Sequence, residues 1–434
     1  MPEPRILILG AGPAGGATAI GLRRLGYDVE VVSDWRRFDA VEGVSQRVLE
    51  GLRHAGLGSA LALAAVPARR RVHWNGTDQQ LNQEYLLDRR LFDSALRDDL
   101  RRAGARVIEG RVREVHSDAQ GHRVVLDNGQ ALLADFLVEA RGRQAPLGSN
   151  RLRGPESVSL LNLWQGEPGE PVSAVESLDD GWAWMARMAD GRCYWQVTLD
   201  SGATRLPGRA QLPDYCADRR QQSALVGELF GAGAWQAAEL HARSSTAILA
   251  GDCVGDNWVK VGDAAMAVDP LSGNGIFQSL SSALQAPAVI NTVLRHPQRV
   301  DLARRFHQER IEQLFLRFAR IGRDFYAQEQ RGVGQPFWDP RRSWPDDQPI
   351  HVPADFGKLQ VERRPVIRDG LIDEAEVVVG PDQPLGIWHV QGVEVAPLVH
   401  GLQAGQRLET LLAHRPAGEQ AMLRAWLTAQ GHRA

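Results

Sequence analysis

The chain has 434 residues, with 50 Lys+Arg against 53 Asp+Glu for a formal net charge of −3, and 43% hydrophobic and 24% charged residues. Such averages describe a globular chain long enough for several domains, and they exclude whole-chain disorder, collagen-like repeats and a disulfide scaffold. No net positive charge draws the chain to nucleic acid, and no apolar run approaches the ~18 residues of a membrane span. Cys193, Cys216 and Cys253 have no metal-ligand spacing, so no metal site is expected, and the chain reads as reduced and cytoplasmic.

Residues 6–10, ILILG, form a β-prone apolar run that stops at glycine; GAGPAG follows at 10–15, then ATAIGLRRLG with helical spacing, then the strand-like VEVV at 29–32. Strand, glycine turn, helix and strand in about thirty residues predict a βαβ unit of the dinucleotide-binding kind. Gly10 would allow the tight turn, Gly12 the approach of a pyrophosphate, and Gly15 close packing of helix on strand. The unpaired N–H groups of the helix start, beside Ala14, would hold the anion. An acidic residue is expected at the end of the second strand to take the ribose hydroxyls. Here the position falls on Ser33, with Asp34 next; either Asp34 serves through a one-residue shift or Ser33 makes a neutral bond, and Asp34 is favoured.

Amphipathic helices are predicted over 46–56 and 89–103, and strands over 72–74 and 84–87. A meander is expected over 106–115, 123–126 and 134–139. From 157 to 247 the pattern alternates, as in WAWMARM and CYWQVTL, which predicts an antiparallel sheet. A buried strand returns within 256–265, and helices follow over 275–294 and 301–330. Pro and Trp cluster at 335–349, read as a linker or ordered crossover, before a strand at 376–379 and helices at 398–414 and 419–430.

The second motif is VGDAAMAVDPLSGNGI, residues 261–276. Asp263 after Gly262 could accept a bond from a ribityl hydroxyl. The amides around Gly273, Asn274 and Gly275, after Pro270, would aim their dipoles at a flavin edge that carries negative charge when reduced.

An early GxGxxG paired with a late GD…DPLSGxGI resembles the FAD-dependent monooxygenase superfamily, which includes aromatic hydroxylases and tryptophan halogenases. YLLDRRLFDSAL resembles a family segment that implies Arg89 near the cofactor. The resemblance also places Arg47 on a helix bordering the flavin, and Val112 where backbone meets the adenine. It implies an α/β fold: a Rossmann-like FAD-binding domain (1–72, 87–156, 248–334) interrupted by an antiparallel-sheet substrate domain (73–86, 157–247), plus a small C-terminal α+β unit (335–434). It implies FAD as cofactor, NADH or NADPH as reductant unless a separate reductase supplies the flavin, and hydroxylation of an electron-rich indole or phenol through a C4a-hydroperoxyflavin.

GWAWMARM, residues 181–188, resembles the halogenase segment WxWxIP with Ala-Arg in place of Ile-Pro. Lysine occurs only at Lys260 and Lys358, neither where halogenases carry their catalytic lysine, and arginine does not deprotonate to replace it. Hydroxylation is therefore preferred; a halogenase and a prenyl-type saturating reductase are the alternatives. On the substrate side Trp184 and His73 are the candidates, although alternating tryptophans also pack sheet cores. PFWDPRR and FYAQEQR resemble a branch of flavoproteins that modify a tryptophan of another protein during tryptophylquinone maturation. That implies either an aromatic small molecule or a tryptophan-containing protein as substrate.

Overall fold

The computed structural model describes residues 3–35, 38–64, 67–146, 150–231, 239–273 and 275–432. Its first layer is a five-stranded parallel sheet in the order Trp258–Lys260, Phe136–Glu139, Ile6–Leu9, Val29–Ser33, Arg106–Glu109. Ile6–Leu9 and Phe136–Glu139 are buried at every position, the pattern of parallel strands covered on both faces. The register aligns Leu9 with Val32 and Glu139, and Glu139 with Lys260. The carboxyl ends of these strands thus lie along one edge, where sheets of this type bind ligands. Helix Pro13–Arg24 leaves that edge directly after the glycine turn.

The expected run over 106–115 divides between two sheets. Arg106–Glu109 joins the parallel sheet, and Val112–Asp118 starts a small antiparallel sheet with Gly121–Leu126 and Ala131–Ala134. The break comes at Gly110, where a Cβ would stand 2.9 Å from Leu126 Cδ1.

The second layer is an eight-stranded mixed sheet in the order Glu239–Ser244, Ser157–Gln165, Arg192–Asp200, Gly181–Arg187, Val172–Leu178, Pro67–Trp74, Thr77–Asp88, Val41–Val44. Val172–Leu178 and Pro67–Trp74 run parallel, and the other neighbours antiparallel. Strand Gly181–Arg187 shows how the sheet is used. Ala183 and Met185 enter a core with Trp195, Leu225 and Val226, whereas Trp182, Trp184 and Ala186 line the opposite face. Two helices in this segment, Leu212–Gln222 and Ala224–Phe230, have no counterpart among the predicted elements.

The chain divides into two compact units, Met1–Pro287 with Leu314–Asp347, and Ala288–Gln313 with Gln348–Ala434. The first contains both large sheets. It also takes part of the Pro/Trp cluster, where Trp338–Ser343 is a short helix with Trp338 and Arg341 buried. The second unit packs a three-stranded sheet (Gln360–Arg368, Leu371–Gly380, Gln383–Ile387) and three helices around Val395, Leu398, Leu412, Leu423 and Leu427. The predicted helix over 398–414 is two helices, Ala396–Gln403 and Leu408–Leu412, separated where Gly405 adopts φ +81°.

Candidate active site

The first glycine turn is built from contacts that only glycine allows. Gly10 has φ +106°, and a Cβ there would lie 2.4 Å from the Ala140 carbonyl oxygen. A Cβ on Gly15 would lie 1.9 Å from the Gly10 oxygen. Gly12 differs: no atom lies within 4 Å of its Cβ position, and as helix N-cap it has no side chain to bond the first-turn N–H groups. The backbone is open there to an anion.

The second motif packs onto this helix. Gly262, at φ +61°, would place a Cβ 2.7 Å from Ala14 Cβ, and its N–H donates to Ser282 Oγ at 2.8 Å. Asp263 accepts from Ser279 Oγ at 3.2 Å and lies 3.7 Å from Arg143 Nε. Burial pushes its pKa up, against the pull of Arg143 and Ser279. Asp263 also feels the charges of Glu42 and Arg89. Arg89 itself starts helix Arg89–Arg102, buried between Glu42 and Asp93. Burial opposes its charge, but the two carboxylates prevail and raise its pKa.

Ser33 Oγ accepts the Ala11 N–H at 3.3 Å, so its side chain braces the glycine turn, and Asp34 follows it in an exposed position. Arg47 is exposed in the first turn of Gln46–Ala55, and Val112 pairs with Leu126 in the small sheet. Pro270 opens the turn Pro270–Ser272; Gly273 closes it at φ +64°, and Gly275 begins helix Gly275–Arg295. Neither Gly273 nor Gly275 has an atom within 4 Å of its Cβ position. Asn274 lies outside the described residues. Gly10, Ala14, Gly15, Gly262 and Asp263 are therefore brought together. Open backbone at Gly12 and again at Gly273 and Gly275 fits a dinucleotide with an anionic middle and a flat polar end.

On the second sheet, Trp184 shares a face with Trp182, Val72, Val175 and Trp74, and Leu271 of the turn packs into the same cluster. Trp184 Nε1 donates to Glu84 Oε1 at 3.4 Å. The Glu84 carboxylate lies against Gly43, where a Cβ would stand 2.3 Å from Oε2. His73 alternates away from this face and bonds Asp78 at 3.0 Å. The structure thus puts Trp184 beside the turn and His73 on the far side.

Two residues missed by the sequence reading sit between turn and sheet. Both Asp269 carboxylate oxygens lie 3.0 Å from Tyr326 Oη, and Oδ1 also accepts the Leu271 N–H at 2.9 Å. Tyr326 Oη accepts from Trp182 Nε1 at 3.1 Å. Burial raises the pKa of both Asp269 and Tyr326. Tyr326 is edge-on to Phe337 and Trp338 in the Pro/Trp segment. The pairing of Asp with Pro at 269–270 is a turn signal legible in the sequence; nothing local indicates that the Tyr326 hydroxyl reaches it. Among the described residues no group of His, Cys, Asp and Glu could hold a metal, and no helix is long and apolar enough to cross a membrane.

Comparison with known proteins adds to this geometry. A family model described as tryptophan halogenase matches residues 50–355. A solved structure of a peptidyl tryptophan dihydroxylase, QhpG, essential for tryptophylquinone cofactor biogenesis, superposes with a TM-score of 0.91 at 71% identity, covering 99% of this chain and 100% of that one. A menaquinone reductase of Mycolicibacterium smegmatis is 27% identical over 66% of this chain and 76% of its own length. A tryptophan 2-halogenase of Chondromyces crocatus is 23% identical over 75% and 68% respectively.

Proposed function

Because the chain belongs to the tryptophan halogenase family of flavin-dependent enzymes, we propose that it is an FAD monooxygenase that hydroxylates the indole of a tryptophan residue in a partner protein during quinone cofactor maturation. One observation carries the reading: 71% identity to a peptidyl tryptophan dihydroxylase across 99% of the chain. The absence of lysine from the eight-stranded sheet agrees with hydroxylation rather than halogenation.

The pyrophosphate would rest on the open backbone at Gly12, with Asp34 toward the ribose and Asp263 toward the ribityl chain. Gly275 would present its backbone N–H to the pyrimidine edge, and Gly273, whose own N–H closes the turn on Pro270 O, would leave the approach open. When bound, the flavin supplies activation of dioxygen, with NADH or NADPH as the electron source. The protein's own work is to hold and orient. The helix start at Gly275 would stabilise negative charge at the flavin edge through its backbone dipole. Trp184, Val72 and Leu271, each partly exposed and backed by the buried Trp182, would present an apolar wall that excludes water and positions an electron-rich ring, which needs little further side-chain help.

The test is the purified chain with FAD, NADH or NADPH and a tryptophan-containing partner polypeptide, under labelled dioxygen. The expected product has gained one or two oxygen atoms from the gas, with no halide incorporated when chloride or bromide is present. Halogenated product, or a loss of unsaturation that needs no oxygen, refutes the reading. Flavin reduced only by an added reductase would replace the nicotinamide and leave the rest.

A further inference from the structure

We propose that Tyr326 is a positioning residue of the flavin site: it holds the turn at residues 270–273 through Asp269 and ties that turn to the substrate sheet through Trp182. This rests on the functional reading above, in which the flavin lies against Gly273 and Gly275.

The hydrogen bonds have a defined direction. Indole Nε1–H only donates, so Trp182 occupies a lone pair on Tyr326 Oη. The one phenolic proton is then left for Asp269, whose two oxygens are both 3.0 Å away. Asp269 caps the turn by accepting the Leu271 N–H, and its own carbonyl accepts the Ser272 N–H at 3.1 Å. Gly273 N–H closes on Pro270 O at 3.0 Å. The orientation of the amides after Gly273 therefore depends on where the Asp269 carboxylate is held.

The three links come from distant parts of the chain: Trp182 from strand Gly181–Arg187, Tyr326 from helix Val300–Gln328, and Asp269 from the turn. Gly322, one turn before Tyr326, faces the turn: a Cβ there would lie 4.0 Å from Asp269 Cβ, an ordinary contact distance. Trp182 and Tyr326 are each 2% exposed, so solvent offers no substitute partner. Trp182 shares its face with Trp184 and Leu271. A ring seated on that wall and the loop at the flavin edge are thus braced by one hydrogen-bonded path.

The aromatic packing of Tyr326 against Phe337 and Trp338 survives Tyr326→Phe, which deletes only the hydroxyl. The experiment titrates FAD into wild type, Tyr326→Phe and Trp182→Phe, and records the Kd, the absorption spectrum of the bound flavin and its midpoint potential. Tyr326→Phe should weaken FAD ~10-fold and Trp182→Phe about threefold, as expected for loss of a buried bond to a charged group and of its orienting donor. Both should shift the flavin spectrum. Both should also lower the potential, because misaligned amides stabilise the reduced, anionic flavin less. If Tyr326→Phe does not fold, Trp182→Phe decides alone. Variants that lose thermal stability but bind FAD with wild-type affinity, spectrum and potential overturn the inference and leave the functional reading intact. Failure of the wild-type chain to bind FAD overturns both.

Discussion

The first glycine turn separates two kinds of glycine, and substitution distinguishes them. In Gly15→Ala the new Cβ would lie 1.9 Å from Gly10 O, 3.0 Å from Gly10 C and 3.3 Å from Ala140 Cβ. The two closest atoms are backbone, so no rotamer change relieves the clash, and helix Pro13–Arg24 must move off strand Ile6–Leu9 by ~1.5 Å to restore ordinary contact. Overpacking of this kind costs about 1–3 kcal/mol, and here the upper end applies. Alanine's better helix propensity returns at most ~1 kcal/mol, so the clash prevails. At ~2 °C per kcal/mol for a unit this large, the apoprotein should melt a few degrees lower. Gly12→Ala meets nothing within 4 Å, so apoprotein stability should change by less than ~1 kcal/mol. Gly12→Glu places a carboxylate where the pyrophosphate belongs, and FAD retention should be lost while the apoprotein stays folded. Differential scanning fluorimetry without FAD, with fluorescence titration of FAD, reads both effects. A Gly12→Glu protein that purifies fully loaded, or a Gly15→Ala protein as stable as wild type, would refute the reasoning.

Further expectations concern buried charge. Burial works against ionised Glu329, but Arg331, Ser177 and backbone N–H groups of Asn75 and Arg331 lower its pKa from 4.5 to about 2. A depressed folded-state pKa stabilises above the unfolded value and is lost as pH falls, so the Tm gap between wild type and Glu329→Gln should be full above about pH 4.5 and shrink toward pH 2. Arg341 donates to Asp200 Oδ2 at 2.9 Å, Phe337 O at 2.7 Å, and Glu156 O and Ser157 Oγ at 2.8 Å each. Arg341→Leu should destabilise by ~3–5 kcal/mol in urea unfolding because Asp200 loses its cation, and Arg341→Lys should recover only part. Burial pushes the Cys193 thiol up to about 11 and raises Cys216 as well. Thiol titration at pH 8 should therefore leave both unlabelled in the native protein and label all three cysteines after denaturation.

The parts of the fold legible in the sequence are those whose signals are local. The βαβ unit is written within residues 6–33 as two apolar runs and three glycines, and each falls where the spacing places it. The eight-stranded sheet is legible only as alternation. Nothing in Val172–Leu178 announces a parallel partner about a hundred residues earlier in Pro67–Trp74. Helix Leu212–Gln222 escaped because its buried positions are Cys216 and Arg220 rather than an apolar stripe. Arg220 is buried by bonding Asn162 at 2.7 Å and stacking over Trp164 and Trp195, all contacts across the sequence. The site divides the same way. The glycines and Asp263 declare themselves by motif, whereas the Tyr326 hydroxyl acquires its role only when a long helix meets a turn 57 residues away.

The distinction between halogenation and hydroxylation is likewise a matter of what is placed on one wall of a shared scaffold. The family's fold serves both chemistries, so the fold alone decides nothing. Lys260 lies in the parallel sheet with its ammonium 5.5 Å from the Trp258 ring, and Lys358 is exposed beside Asp355 in the second unit. The face around Trp184 instead presents Val72, Leu271 and the buried Glu84 carboxylate, which lies 3.9 Å from the Arg70 guanidinium. An ammonium that could carry an electrophilic halogen species to a substrate ring is absent from that set. An apolar wall whose one carboxylate is paired with Arg70 suits a bulky, neutral, electron-rich ring, and an indole is such a ring. The missing ammonium therefore argues against a halogenating role, and the apolar face agrees with the indole substrate proposed above.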